Sequence, residues 1–159
     1  MLLAVLTISD RCSEGQATDT AGPAVVALLR KHWKEALIQT ALVPDDEEQI
    51  VAWLNQWSSL DAALILTTGG TGLGPRDRTP EATRRVINRE APGLAEAIRS
   101  HGAAKNQYAW LSRAVAGLKD NTLIVNLPGS KRGAEESLTA ILSLIKHGLE
   151  TAAGSQNHP

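Results

Sequence analysis

Residues 67 to 83 read TTGGTGLGPRDRTPEAT, with Gly69, Gly70, Gly72 and Gly74 crowded ahead of one carboxylate, Asp77, set between Arg76 and Arg78. Glycines in such a run permit positive φ and let a ligand approach bare backbone N–H groups, which is how loops cradle phosphate. A single glycine would mark only a tight turn. A carboxylate beside a polyphosphate repels it unless a cation intervenes, and Mg²⁺, which takes one or two carboxylates plus phosphate oxygens, is the fitting cation. The plain alternative for Asp77 is a surface pairing with Arg76 or Arg78. Neither G-x-x-x-x-G-K-[ST] nor a G-x-G-x-x-G after the first strand occurs, which disfavours a P-loop kinase and a dinucleotide dehydrogenase.

The elements that must hold this loop follow from apolar patterning. LLAVLTI (2–8), AALILTT (62–68) and TLIVNL (122–127) are continuous apolar runs, the signature of strands buried on both faces of a parallel sheet. LIQTALV (37–43) predicts a less buried strand. Helical patterns lie between: 23–33, 45–57 with Ile50, Leu54 and Trp57 on one face, 79–88, a helix opened by Pro92, and 133–153 with Gly154 as its stop. Thr79 followed by Pro80 predicts an N-cap with proline at the first helical position. The alternation predicts a three-layer α/β domain with a mainly parallel central sheet flanked by helices.

Ligands of open α/β sheets bind at the carboxyl ends of the strands. Four unusual loops fall there: SDRCSEG, VPDDEE, GGTGLGPRD and NLPGSKRG. Together they predict one composite site. Within it, Asp45 with Glu48 and Asp46 with Gln49 each read as a helix cap, and the residues alone leave open which aspartate caps and which reaches the site. Ser130, Lys131 and Arg132 sit near the start of the last helix, where backbone N–H groups suit an anion. Ser112 and Arg113 have no local pattern that singles them out, and the four histidines show no ligand spacing.

Composition narrows the class. A net charge of -1 without a basic run argues against nucleic-acid binding. No apolar stretch approaches the roughly 20 residues that span a bilayer, and a lone cysteine with no signal-like start predicts a cytoplasmic protein. One domain over residues 1–154 with a frayed tail at 155–159 is expected. The tryptophans are expected as core or interface fillers, since the chain has no Phe.

TISDR, DTAGP, VPDD, LILTTGGTGLGPRDRTPEAT, LSRAVAG and LIVNLPGSKRG, in this order, resemble the molybdopterin adenylyltransferases of molybdenum cofactor biosynthesis, including the G domain of gephyrin. The resemblance implies a homotrimer that uses ATP and Mg²⁺ to transfer AMP to the terminal phosphate of molybdopterin, with release of pyrophosphate and delivery to a molybdenum insertase. It implies that Asp45 and Asp77 are catalytic and hold the metal, and that Gly69, Gly70, Thr71 and Gly72 contact the nucleotide. Ser9, Asp10, Ser112, Pro128, Gly129 and Ser130 then surround the pterin substrate. Arg78 departs from the family, which commonly has an apolar residue there. A nucleotide pyrophosphatase on the same scaffold and a non-catalytic molybdopterin-binding module are the alternative functions.

Overall fold

Alternate residues of each apolar run face opposite helical layers, which is why the runs are apolar throughout. In strand β1 (Leu2–Ile8), Leu3 and Val5 join one core while Ala4, Leu6 and Ile8 join the other. Strand β3 (Leu64–Thr68) divides its Leu64 and Leu66 from Ile65 in the same way. The protein is described here by a computed structural model covering residues 1–154. The expected tail at 155–159 lies outside the described residues.

Six strands form one sheet in the order β2-β1-β3-β6-β5-β4, with β2 (Leu37–Val43), β4 (Arg89–Glu90), β5 (Ala116–Lys119) and β6 (Thr122–Leu127) completing the set. Strands β2, β1, β3 and β6 run parallel, and β5 is antiparallel to both β6 and β4. The helices are α1 (Asp10–Ser13), α2 (Ala21–His32), α3 (Glu47–Ser59), α4 (Thr79–Val86), α5 (Pro92–Ala103) and α6 (Lys131–Ala152), with a 3₁₀ turn at Gln107–Leu111. Residues of α2, α5 and α6 pack in one core and residues of α3 and α4 in the other. This is the expected three-layer α/β architecture around a mainly parallel sheet. At roughly 1.5–3 kcal/mol for each fully buried large apolar side chain, these two layers dominate the stabilisation.

Strands β4 and β5 were not foreseen. One has two residues and the other is AGLK, too short and too glycine-interrupted to show a period. The β5–β6 hairpin turns through Asp120 and Asn121, where Asp120 takes φ 53, a conformation that Asp tolerates better than most residues. Among the tryptophans, Trp57 is fully buried as expected, but Trp110 is 59% exposed and fills no core. No helix among the described residues is long and apolar enough to cross a membrane.

One buried amide ties the layers beneath the glycine loop. Asn126 of β6 donates to the hydroxyls of Thr67 (3.0 Å) and Thr83 (2.9 Å), and its carbonyl accepts from the Val115 amide (3.0 Å). A fully partnered polar group of this kind specifies one packing, because any displacement strands a buried donor or acceptor.

Candidate active site at the carboxyl ends of the strands

The loops after β1 and β2 are joined by a reciprocal pair of bonds. The Asp10 amide donates to the Asp45 carboxylate (3.0 Å), and the Asp45 amide donates to the Asp10 carboxylate (2.9 Å). Asp46, not Asp45, caps α3: its carboxylate accepts from the Gln49 amide (2.9 Å). The cap is thereby assigned to Asp46, and the Asp45 side chain turns instead to the loop after β1. A Cβ placed on Gly70 would stand 3.0 Å from Asp45 Oδ1, and one on Gly72 would stand 2.8 Å from Asp77 Oδ2. The two carboxylates therefore meet one loop at positions two residues apart.

The arginines flanking Asp77 turn elsewhere. Arg76 binds Asp10 with both Nε (2.9 Å) and a terminal nitrogen (3.0 Å), and Arg78 binds Glu47 (2.7 and 3.0 Å). Arg85 also reaches Glu47 and Glu48, so the unusual Arg78 is absorbed into an ionic network between α3 and α4. Among the described residues neither Asp45 nor Asp77 makes an ion pair; the Asp77 carboxylate accepts only the Gly74 amide (2.9 Å). The surface pairing considered for Asp77 does not form.

Electrostatics agree with this geometry. Burial pushes the Asp45 carboxyl above its ordinary value, and the Asp10 and Asp77 charges add to the push, against the pull of the Asp10 amide and Arg76. The Arg76 guanidinium, with the Asp45 amide, holds Asp10 below the usual carboxylate range. Among the described residues no three His, Cys, Asp or Glu side chains form a metal cage of their own. The Asp45 and Asp77 carboxylates, both facing the glycine loop without an ion pair, would suit Mg²⁺, which takes one or two carboxylates when substrate oxygens complete its shell.

Positive φ is confined to two of the four loop glycines, Gly69 (φ 94) and Gly70 (φ 64). Gly72 and Gly74 serve differently from the expectation: they leave room for the Asp77 carboxylate, which a Cβ at either would approach within 2.9 Å. A Cβ on Gly69 would lie 2.2 Å from the Ile8 carbonyl oxygen, a backbone atom that cannot swing aside, and one on Gly129 would lie 3.1 Å from the Gly69 Cα. Gly69 and Gly129 thus let the loops after β1, β3 and β6 touch through bare backbone. Gly69→Ala is expected to destabilise the fold by about 2 kcal/mol through strained φ and this contact. A thermal melt should show a fall of about 4–8 °C, and an unchanged melt would refute the argument.

Thr79 departs from its expected role. It lies inside α4 with Arg78 at the N-cap, and its hydroxyl donates to the Gly69 carbonyl (2.9 Å). The loop carbonyl, buried against it, is a better partner than the solvated first turn. Ser9 and Ser130 do cap: Ser9 accepts from the Cys12 amide (3.2 Å), and Ser130 accepts from the Gly133 amide (3.1 Å) and starts α6 at Lys131, earlier than expected.

A cleft of about 470 Å³ opens beside the loop, lined by Thr71, Gly72, Ser112, Pro128 and Ser130, with Arg99, Lys105 and Arg132 as its cations. Ser9, Asp10, Asp45 and Asp77 do not line it. The expected site residues therefore fall into two adjoining groups, a carboxylate group and a cleft group, joined at Gly72. Sequence reasoning missed Arg113, whose guanidinium grips the loop, and Arg99, which binds the carbonyls of Ser112 (3.3 Å) and Ala114 (3.0 Å). The one available signal was a lone cation in the otherwise apolar run that follows Ser112.

The family described as "Probable molybdopterin binding domain" matches residues 4–147. The chain belongs to that family. It is similar to the molybdopterin adenylyltransferase of Helicobacter pylori strain J99, 32% identical over 155 residues that cover 96% of this chain and 88% of that protein. It is also 40% identical over 157 residues to gephyrin of Dictyostelium discoideum, covering 93% of this chain but only 22% of gephyrin. Among solved structures, the molybdopterin biosynthesis enzyme MoaB from Thermus thermophilus superposes with a TM-score of 0.87 at 45% identity, covering 96% of each chain. The family match spans β1 through most of α6, so every loop of the site lies within it.

Proposed function

We propose that this member of the molybdopterin-binding family is an adenylyltransferase of molybdenum cofactor biosynthesis, transferring AMP from ATP to the terminal phosphate of molybdopterin. A phosphate oxygen of molybdopterin bonds to the α-phosphorus, the bond to the β-phosphate oxygen breaks, and pyrophosphate leaves. The observation that carries this reading is the pair of carboxylates, Asp45 and Asp77, left without an ion pair on one glycine loop. Gly69, Gly70, Thr71 and Gly72 hold the nucleotide phosphates. Ser112, Pro128 and Ser130 orient the pterin substrate in the cleft, with Gly129 beside them, while Ser9 and Asp10 shape the neighbouring loop.

Asp45 and Asp77 would hold Mg²⁺, which supplies charge neutralisation at the reacting phosphates. This chain's own work is alignment and exclusion of alternatives, since nucleotidyl transfer requires no covalent enzyme intermediate. The cleft volume falls in the range of small-molecule sites, and its Lys105 and Arg132, which share Glu136, are the cations a phosphorylated pterin would draw on. We further propose a homotrimer acting in the cytoplasm and handing its product to an insertase, as the resemblance implies. Exposed Leu37, Leu42, Tyr108 and Trp110 provide apolar surface that an assembly would cover.

The deciding experiment mixes purified protein with ATP and Mg²⁺, with and without molybdopterin, and measures pyrophosphate. Release only when molybdopterin is present is expected. Hydrolysis of ATP or ADP-ribose without the pterin would replace the reading by a pyrophosphatase, and binding without turnover would make the chain a non-catalytic module. Sedimentation of the same sample should give three chains; a single-chain mass at micromolar concentration would remove the trimer.

A further inference from the structure

Arg113 lies on the segment between the 3₁₀ turn and β5, outside the four strand-end loops, yet it contacts the glycine loop at three points and the helix after it at a fourth. Its amide donates to the Thr71 carbonyl (2.8 Å), Nε to the Gly72 carbonyl (2.8 Å) and a terminal nitrogen to the Asp77 carbonyl (2.7 Å). The other terminal nitrogen pairs with Glu81 on α4. One planar guanidinium therefore spans the loop from Gly72 to Asp77 and fastens both to the helix that follows. Burial pushes Glu81 upward, but the Arg113 bond, the Glu81 amide and the charges of Arg113 and Arg78 together hold it below its ordinary value. Arg113 is itself fixed from behind, because Arg99 binds the carbonyls on either side of it.

We infer that Arg113 is a positioning residue for the transfer reaction: by holding the Gly72 and Asp77 carbonyls it sets where the Asp77 carboxylate stands relative to the nucleotide loop. The inference rests on the adenylyltransferase reading for its kinetic consequence. The loop's own bonds, Gly74 amide to Asp77 carboxylate (2.9 Å) and Asp77 amide to Gly74 carbonyl (3.0 Å), close only a local turn. Nothing in them fixes that turn against the rest of the site. Arg113 does so, and lysine cannot replace it, since an ammonium lacks the fork needed to bind two carbonyls and a carboxylate together.

The test is Arg113→Lys, with Glu81→Gln as a milder second variant that keeps shape while removing the ionic partner. For Arg113→Lys, kcat for AMP transfer is expected to fall roughly tenfold or more, while KM for molybdopterin stays within about twofold. Glu81→Gln is expected to lose about threefold in kcat. In both variants the amides of Gly74 and Asp77 should exchange with deuterium faster than in the unmodified protein, with the sheet amides unchanged. Normal kcat and normal exchange in Glu81→Gln would overturn the proposal even if Arg113→Lys fails to fold, as would a rise in KM with unchanged kcat. If the unmodified protein performs no AMP transfer, the functional reading fails, and the exchange data still decide whether Arg113 holds the loop.

Discussion

Asp77→Asn is expected to lower AMP transfer by about 100-fold, equivalent to about 2.7 kcal/mol of lost transition-state stabilisation. Asparagine keeps the size of the side chain, and its amide oxygen can still accept the Gly74 amide, so the loop turn survives. The removed property is charge, and among the described residues no arginine pairs with that carboxylate. Molybdopterin should still bind, because Asp77 does not line the cleft. The measurement is transfer at saturating ATP and Mg²⁺, with a pterin-binding assay and a melt. Near-normal transfer in a folded variant would remove Asp77 from the mechanism, and collapse of both folding and pterin binding would make its role structural.

Asp45→Asn is expected to cost transfer a similar factor, about 100-fold, while raising the melting temperature at neutral pH. The sign follows from the upward shift of Asp45, caused first by burial and then by the neighbouring carboxylates. A carboxyl with a raised folded value binds its proton more tightly in the native state than in the unfolded one. Stability therefore falls as pH rises through that window, and ionised Asp45 destabilises the fold at pH 7. Asparagine removes this penalty and keeps an acceptor for the Asp10 amide. The stability gain should vanish as pH is lowered below the ordinary carboxylate range, where Asp45 is protonated in both states. A variant that is less stable at pH 7, or equally more stable at all pH, would contradict the electrostatic account.

The long buried runs made most of the fold legible, because strands β1, β3 and β6 carry apolar side chains on both faces and leave no other reading. Strand β2 was legible as a less buried strand, and the sheet order puts it at the edge. The carboxylates were legible as a set but not as individuals: Asp45 and Asp46 are adjacent and chemically identical, and only backbone direction decides which accepts the Gln49 amide. Thr79 was misread because its competing partner, the Gly69 carbonyl, is ten residues away along the chain. Arg113 was invisible for a related reason. Most of its partners are main-chain carbonyls, which every residue owns and no side-chain pattern reveals.

Strand β5 runs against its neighbour β6, so its amino end, not its carboxyl end, arrives at the rim where β1, β2, β3 and β6 finish. The segment before β5 can thereby reach the site from the far side, carrying Ser112 and Arg113, while the four parallel loops stay as they are. Two walls result, tied to each other through Arg113 and Gly72. One is braced by the sheet and holds the carboxylates; the other hangs from α5 and the 3₁₀ turn and forms much of the cleft. Substitutions in residues 104–111 that leave Arg113 in place can then reshape what the cleft admits while the carboxylate wall keeps its position, so the cleft lining is free to diverge as long as that one clamp is kept.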